Sequence, residues 1–171
     1  VKWIPHPNRG HTEIWFCGWD RHELLARIAG SLSCAGLNIL SADIFTRSDH
    51  LVLDIFRVCT TKFEAVTEPR DFAMVEKLLL QSLQTEDYDF TPQLAKAIKR
   101  VGWQLAHELD FPTRIAVDND AHPSYTLVDI QMPDRLGLLY QLLRAFGQQG
   151  VSIAFSRIAT EKGAAIDSFY V

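Results

Sequence analysis

An acid–base doublet occurs twice in this chain, at the same place in a repeated pattern. Asp20 and Arg21 sit in the run W-D-R-H-E-L, and Asp134 and Arg135 sit in P-D-R-L-G-L. Each doublet lies between a short alternating apolar segment and a stretch with helical periodicity. A helix N-terminus offers unpaired N–H groups and a partial positive charge, a natural seat for a carboxylate. Each aspartate therefore has two readings. It can cap the helix, accepting hydrogen bonds from first-turn N–H groups. Alternatively, it can face the ammonium group of a bound amino acid, since beside a ligand carboxylate it would only repel. Spacing alone puts the cap first. Gly137 lets backbone approach a ligand closely, whereas Glu23 at the same place in the first run adds bulk and negative charge. The second turn is accordingly the stronger candidate, with tighter binding expected there. Asn38 follows the glycine that ends the first helix and is expected to face back toward the Asp20 turn. Ser152 holds that place in the second repeat. An asparagine amide offers a donor and an acceptor to a ligand amide, or is simply tolerated at a helix end.

No other constellation reads as catalytic. There is no glycine-rich phosphate loop, no G-x-S-x-G, and no spaced carboxylate set that would hold a metal. The histidines (6, 11, 22, 50, 107 and 122) form neither H-E-x-x-H nor a cluster with cysteine, so no metal and no cofactor is expected. Cys17, Cys34 and Cys59 are odd in number and widely spaced, which predicts reduced thiols in a cytoplasmic protein. Cys17 and Cys34 read as small buried hydrophobes. Seventeen basic residues against 21 acidic ones give a net charge of −4, which argues against nonspecific nucleic-acid binding. No apolar run approaches the ~20 residues that span a bilayer, so no membrane is expected.

The elements that position these residues come from a duplication. Leu24, Leu25, Gly36, Ile39, Ile44 and Thr46 recur 114 positions on, as Leu138, Leu139, Gly150, Ile153, Ile158 and Thr160. Asp54, Phe56 and Val58 recur, after one deletion, as Asp167, Phe169 and Val171. Each repeat reads as an alternating strand, then an amphipathic helix ended by Gly36 or Gly150, then two more strands. The apolar phase of the second strand slips, predicting a bulge near Leu40 and its counterpart Ala154. In the first repeat Pro69 opens a second helix through Phe72, Val75, Leu79 and Leu83. Thr91-Pro92 opens another, with Leu94, Ile98, Val101, Leu105 and Leu109 on one face. Thr113 to Val117 supplies a fourth strand. Asp54 and Asp167 read as exposed-face acids or inter-repeat contacts.

The unit is thus βαββαβ, an α+β ferredoxin-like arrangement with an antiparallel sheet and helices on one face. Two such units are expected in tandem, over 1–118 and 119–171, the second lacking its last helix and strand. The absence of an initial Met suggests a piece of something larger.

With D-R-x-G-L followed by G-V-S-I, and G-L-N-I in the first repeat, the chain resembles the ACT domain, a small-molecule-sensing module. The stretches DNDAHPSYTLVDIQMPDRLGLLY and SRIATEKGAAIDSFYV are similar to the C-terminal region of bifunctional PII uridylyltransferase/uridylyl-removing enzymes, and the likeness runs from His11 to Val171. It implies a non-catalytic regulatory region that binds glutamine and biases both activities toward the PII signalling protein. It also implies pairing of ACT units. The ligand contacts it implies fall on Asp20, Arg21 and Asn38 in the first repeat, and on Asp134, Arg135, Gly137 and Ser152 in the second. The Pro-Gly of the family's turn is His22-Glu23 in one repeat and Leu136-Gly137 in the other.

Overall fold

The computed structural model describes residues 1–21, 23–101 and 112–171; His22, Leu105 and Leu109 lie outside the described residues. Twelve elements follow in order: β1 (Lys2–His6), β2 (His11–Trp19), α1 (Leu24–Cys34), β3 (Asn38–Thr46), β4 (Leu51–Cys59), α2 (Pro69–Leu83), α3 (Thr91–Val101), β5 (Arg114–Asp118), β6 (Leu127–Pro133), α4 (Leu138–Gln148), β7 (Phe155–Glu161) and β8 (Ala164–Tyr170). A single 3-10 turn, Pro7–Arg9, joins β1 to β2. All strand pairs are antiparallel, in one sheet of order β1-β2-β4-β3-β7-β8-β6-β5.

The order reads as two similar four-stranded halves joined edge to edge between β3 and β7. The junction is short: Ser41 pairs with Ala159, Ala42 with Ile158 and Asp43 with Arg157. Thr160 adds a side-chain bond, its hydroxyl donating to the Ile39 carbonyl at 3.2 Å. Strand alternation sends Ile14 and Phe16, Phe56 and Val58, Ile130, Ile158 and Phe169 into one core beneath the helices. Across this layer α1 touches α2, α3 and α4.

Two expectations about strands change. Arg114–Asp118 does not complete the first half but pairs with β6 at the far edge of the second. The corresponding edge of the first half is filled by β1, which pairs with β2. The reason is local: each edge strand lies just before the strand it pairs with, so a short connection closes each pair. On strand pairing, the boundary expected after residue 118 moves ahead of Arg114, and the second half has four strands rather than three. Among the described residues it has only one helix, however. In the first half α2 covers the edge, where Trp3 stacks on Phe72 at 4.3 Å and donates to Glu76. In the second half, Ile115 and Val117 lie on the same side of the sheet as their partners Ile130 and Val128, yet stay more than half exposed.

Other expectations are met closely. The register shifts between Ile39 and Ser41, the bulge expected near Leu40. In the second half the ladder begins at Phe155, just past Ala154. Gly36 and Gly150 end α1 and α4 with φ of 86° and 67°, each followed by a closing N–H bond, Leu37 to the Leu32 carbonyl and Val151 to Phe146. Cys34 and Cys59 are buried, and burial pushes the Cys34 thiol up to about 12. Cys17 is exposed instead, because alternation turns Phe16 inward and its neighbour outward.

Ile28, Leu32 and Leu139 are buried, while Leu25, Leu142 and Phe146 are half-buried against the same core. Leu32 has no exposed surface, so Leu32→Ala should lower stability by ~2–5 kcal/mol in chemical denaturation, and Leu142→Ala by less.

Candidate functional site

The two D-R turns lie on either side of the β3–β7 junction, and each faces the other repeat. The turn carrying Asp134, Arg135 and Gly137 meets Asn38 at the start of β3, with Thr160 and Asp167 beside it, around a cavity of ≈ 20 Å³. The turn carrying Asp20, Arg21 and Glu23 meets Ser152, with Thr46 and Asp54 beside it, around a cavity of ≈ 290 Å³. Asn38 does not face its own repeat's turn, nor does Ser152. The structure exchanges them, because joining β3 to β7 carries the start of each second strand across to the opposite turn.

Neither aspartate caps its helix. The residue preceding α1 is Glu23 and that preceding α4 is Gly137, both with left-handed φ (58° and 83°) and neither with a side-chain cap. Asp20 and Asp134 lie three residues earlier. Their backbone N–H groups bond to the His50 and Gly163 carbonyls, which fixes each turn against the loop between the next two strands. The carboxylates are thereby left free of the capping role.

Gly137 has a different reason from openness to ligand. A Cβ there would come within 2.4 Å of Leu94 Cδ2, so the missing side chain admits α3. Glu23 adopts the same strained backbone without that benefit, and its side chain runs toward Gly147 of α4. Arg21 and Arg135 are exposed, and Arg135 bonds to Gln141 at 2.7 Å.

Two acids read from sequence as exposed-face or inter-repeat residues prove to be inter-repeat ones. Asp54 and Asp167 are 2% exposed and line the two cavities beside Asp20 and Asp134. Burial pushes both carboxyls up to about 7, against a lowering backbone N–H from Phe45 or Ala159. The adjacent turn aspartate, Asp20 or Asp134, adds to the rise. Burial likewise raises Asp134. The available signal was register: Asp54 and Asp167 share the parity of Phe56 and Phe169, which face the core, so they point inward too. Each cavity therefore pairs two acids with polar groups from the other repeat. Such a set is suited to a small cation or an ammonium. A different set of side chains, His6, His11 and Glu13, converges at the β1–β2 edge, although spacing gave no reason to expect a metal-ligating cluster.

Residues 114–170, the second half of the tandem sheet, match the family of ACR9-like, ACT-like domains. More narrowly, the chain is similar along its length to part of bifunctional uridylyltransferase/uridylyl-removing enzymes. It is 35% identical to that of Rhodospirillum rubrum over 171 residues, covering 100% of this chain and 18% of that protein. It is 34% identical to that of Azospirillum brasilense over 168 residues, covering 95% and 17%. The match to that of Gluconobacter oxydans is 30% over 171 residues, covering 100% and 18%. The chain thus spans less than a fifth of these relatives. No helix among the described residues is long and apolar enough to cross a membrane.

Asp54 and Asp167 have folded-state pKa values raised to about 7 from an ordinary 3.8, so the folded chain holds more protons than the unfolded one between those limits. Their contribution to stability is fully present below 3.8 and is lost as pH rises through about 7. Urea denaturation from pH 4 to 8 should show a decline that flattens in Asp54→Asn and Asp167→Asn; an unchanged slope in both would refute the buried-acid assignment. Separately, Glu23→Gly should relieve a left-handed backbone and stabilise by ~1 kcal/mol, whereas Gly137→Ala should destabilise by more than that, through strain and the Leu94 clash.

Proposed function

We propose that this chain is the amino-acid-sensing part of a cytoplasmic uridylyltransferase/uridylyl-removing enzyme acting on PII, with glutamine as ligand. Glutamine is taken up chiefly in the cavity between the Asp134 turn and Asn38. One observation carries this reading: Asn38 is buried in the same cavity as Asp134, and its amide lies close enough to lower the Asp134 pKa yet, among the described residues, completes no hydrogen bond of full geometry. A buried donor without a fully formed hydrogen bond is costly, and a ligand acceptor relieves that cost. The side-chain carbonyl of glutamine supplies that acceptor, and its ammonium group suits Asp134. Glutamate would set a second carboxylate among Asp134 and Asp167 and is disfavoured. The Asp20 cavity has Ser152 in place of Asn38 and so lacks the amide. Preference for the Asp134 side rests on Asn38, not on an open Gly137.

A cavity of ≈ 20 Å³ holds about one water molecule, so an amino acid must part the two repeats to enter. Binding is then tied to how the halves pack, which gives a ligand differential affinity for two arrangements. A coupling of ~1–3 kcal/mol to a distant active site is enough for regulation.

The test is thermal denaturation with amino acids. Glutamine at ~100 times its dissociation constant should stabilise by ~2.7 kcal/mol. For a chain of this size the melting temperature should rise by roughly 5–10 °C. Asn38→Ala should abolish the shift, Ser152→Ala should keep it, and glutamate should give less. In the whole enzyme, removing this region should leave both activities measurable but insensitive to glutamine. Equal pairing of the repeats with no shift from any amino acid would instead favour a purely structural module.

A further inference from the structure

We propose that His6, His11 and Glu13 form a binding site for one divalent transition cation, Zn²⁺ by its ligand chemistry, that clamps β1 to β2. The site is separate from both inter-repeat cavities and independent of what binds there.

Position comes from the ladder. His6 and His11 are directly opposed across β1 and β2, so their side chains leave the sheet on one face, and their rings lie 5.1 Å apart. Glu13 is two residues beyond His11 and therefore on the same face, diagonal to His6. One donor atom from each of the three lies within 4.8 Å of the others. Donors around tetrahedral zinc sit ~2.0–2.2 Å from the ion, so modest side-chain rotation closes the set.

The surroundings prepare the ligands. His6 Nε2 is buried without a hydrogen-bond partner among the described residues and stands 3.9 Å from Glu13 Oε2. His11 Nδ1 lies 3.2 Å from the Arg9 carbonyl; a proton donated there leaves Nε2 with a free lone pair, the tautomer a metal requires. Arg57 holds the other Glu13 oxygen, Nε to Oε1 at 3.2 Å. Two positive groups stand close: Arg57, and Lys2, whose Nζ lies over the Trp15 ring. Both oppose a cation, but Arg57 is neutralised by Glu13 and by Asp43 at 3.0 Å. The ion displaces only the 3.3 Å contact of Trp15 Nε1 to Glu13 Oε2. Two imidazoles and one carboxylate, with a fourth position left to water, suit zinc better than a hard oxygen-seeking cation such as Mg²⁺.

The experiment is a titration of the chelator-stripped, thiol-reduced chain with ZnCl₂ against a chromophoric zinc indicator, together with thermal denaturation. One equivalent should bind and raise the melting temperature. His6→Gln and His11→Gln should each weaken binding by ~10-fold or more. His122→Gln, far along the chain, should change nothing, and MgCl₂ should not compete. Binding should weaken with falling pH, because metal and proton compete for the same ligand atoms. Circular dichroism checks that each variant is folded, and Glu13→Gln supplies a third ligand test should one histidine variant fail to fold. Absence of zinc binding at 100 µM, or binding that survives loss of either histidine, overturns the proposal.

Discussion

Three residue pairs between β3 and β7 determine the rest of the molecule. They turn two small sheets into one, and they carry the start of each second strand across to the other repeat's turn. Without that junction Asn38 would not meet Asp134, nor Ser152 meet Asp20, and the acids at both turns would face water. Few residues make the contact, yet the Thr160 hydroxyl on the Ile39 carbonyl and the helix contacts above it hold the alignment. Polar groups buried at such a place are costly unless matched, and here Asp54, Asp167 and Asn38 are all buried there.

On the helix side the halves are tied by the connection between α2 and α3. Arg27, buried on α1, donates to the carbonyls of Ser82, Thr85 and Glu86, satisfying the open end of α2 with a cation where the helix dipole favours one. Phe90 then packs over Gly30, where a Cβ would collide with its ring, and its N–H donates to the Tyr140 hydroxyl of α4. Arg144 reaches from the same helix to Asp89, whose carboxyl is lowered to about 2 by Thr91 and, less strongly, by Arg144. Sheet seam and helix bridge thus join the same two repeats from opposite layers.

The repeat made most of this legible. Offsets between Asp20 and Asp134, or between Gly36 and Gly150, place turns and helix ends before any propensity is weighed, and the slipped phase at Leu40 announces its bulge. What it could not show was pairing between elements far apart in sequence. Repeat logic assigned Arg114–Asp118 to the unit it follows, although a strand pairs as readily with the one it precedes. Lys2–His6, broken by Pro5 and followed by Pro7, carries too weak an alternation to announce an edge strand. The cavities were half-legible: the D-R turns stood out, but their partners were assigned within each repeat. His6, His11 and Glu13 become neighbours only once β1 folds back on β2.

Had one repeat paired with an identical copy of itself, the two turn cavities would be bound by symmetry to the same residues. Joining both repeats in one chain removes that obligation. A change at Glu23 alters one cavity and leaves Gly137 alone, and Asn38 and Ser152 are free to differ. The ≈ 290 Å³ and ≈ 20 Å³ spaces on the two sides of the junction are the record of that freedom. Covalent linkage has another effect. The partner's local concentration is set by the connecting segment rather than by how much protein the cell makes, so the pairing does not dilute away. Each half can then lose symmetry without losing its companion, which lets natural selection tune the two pockets one at a time.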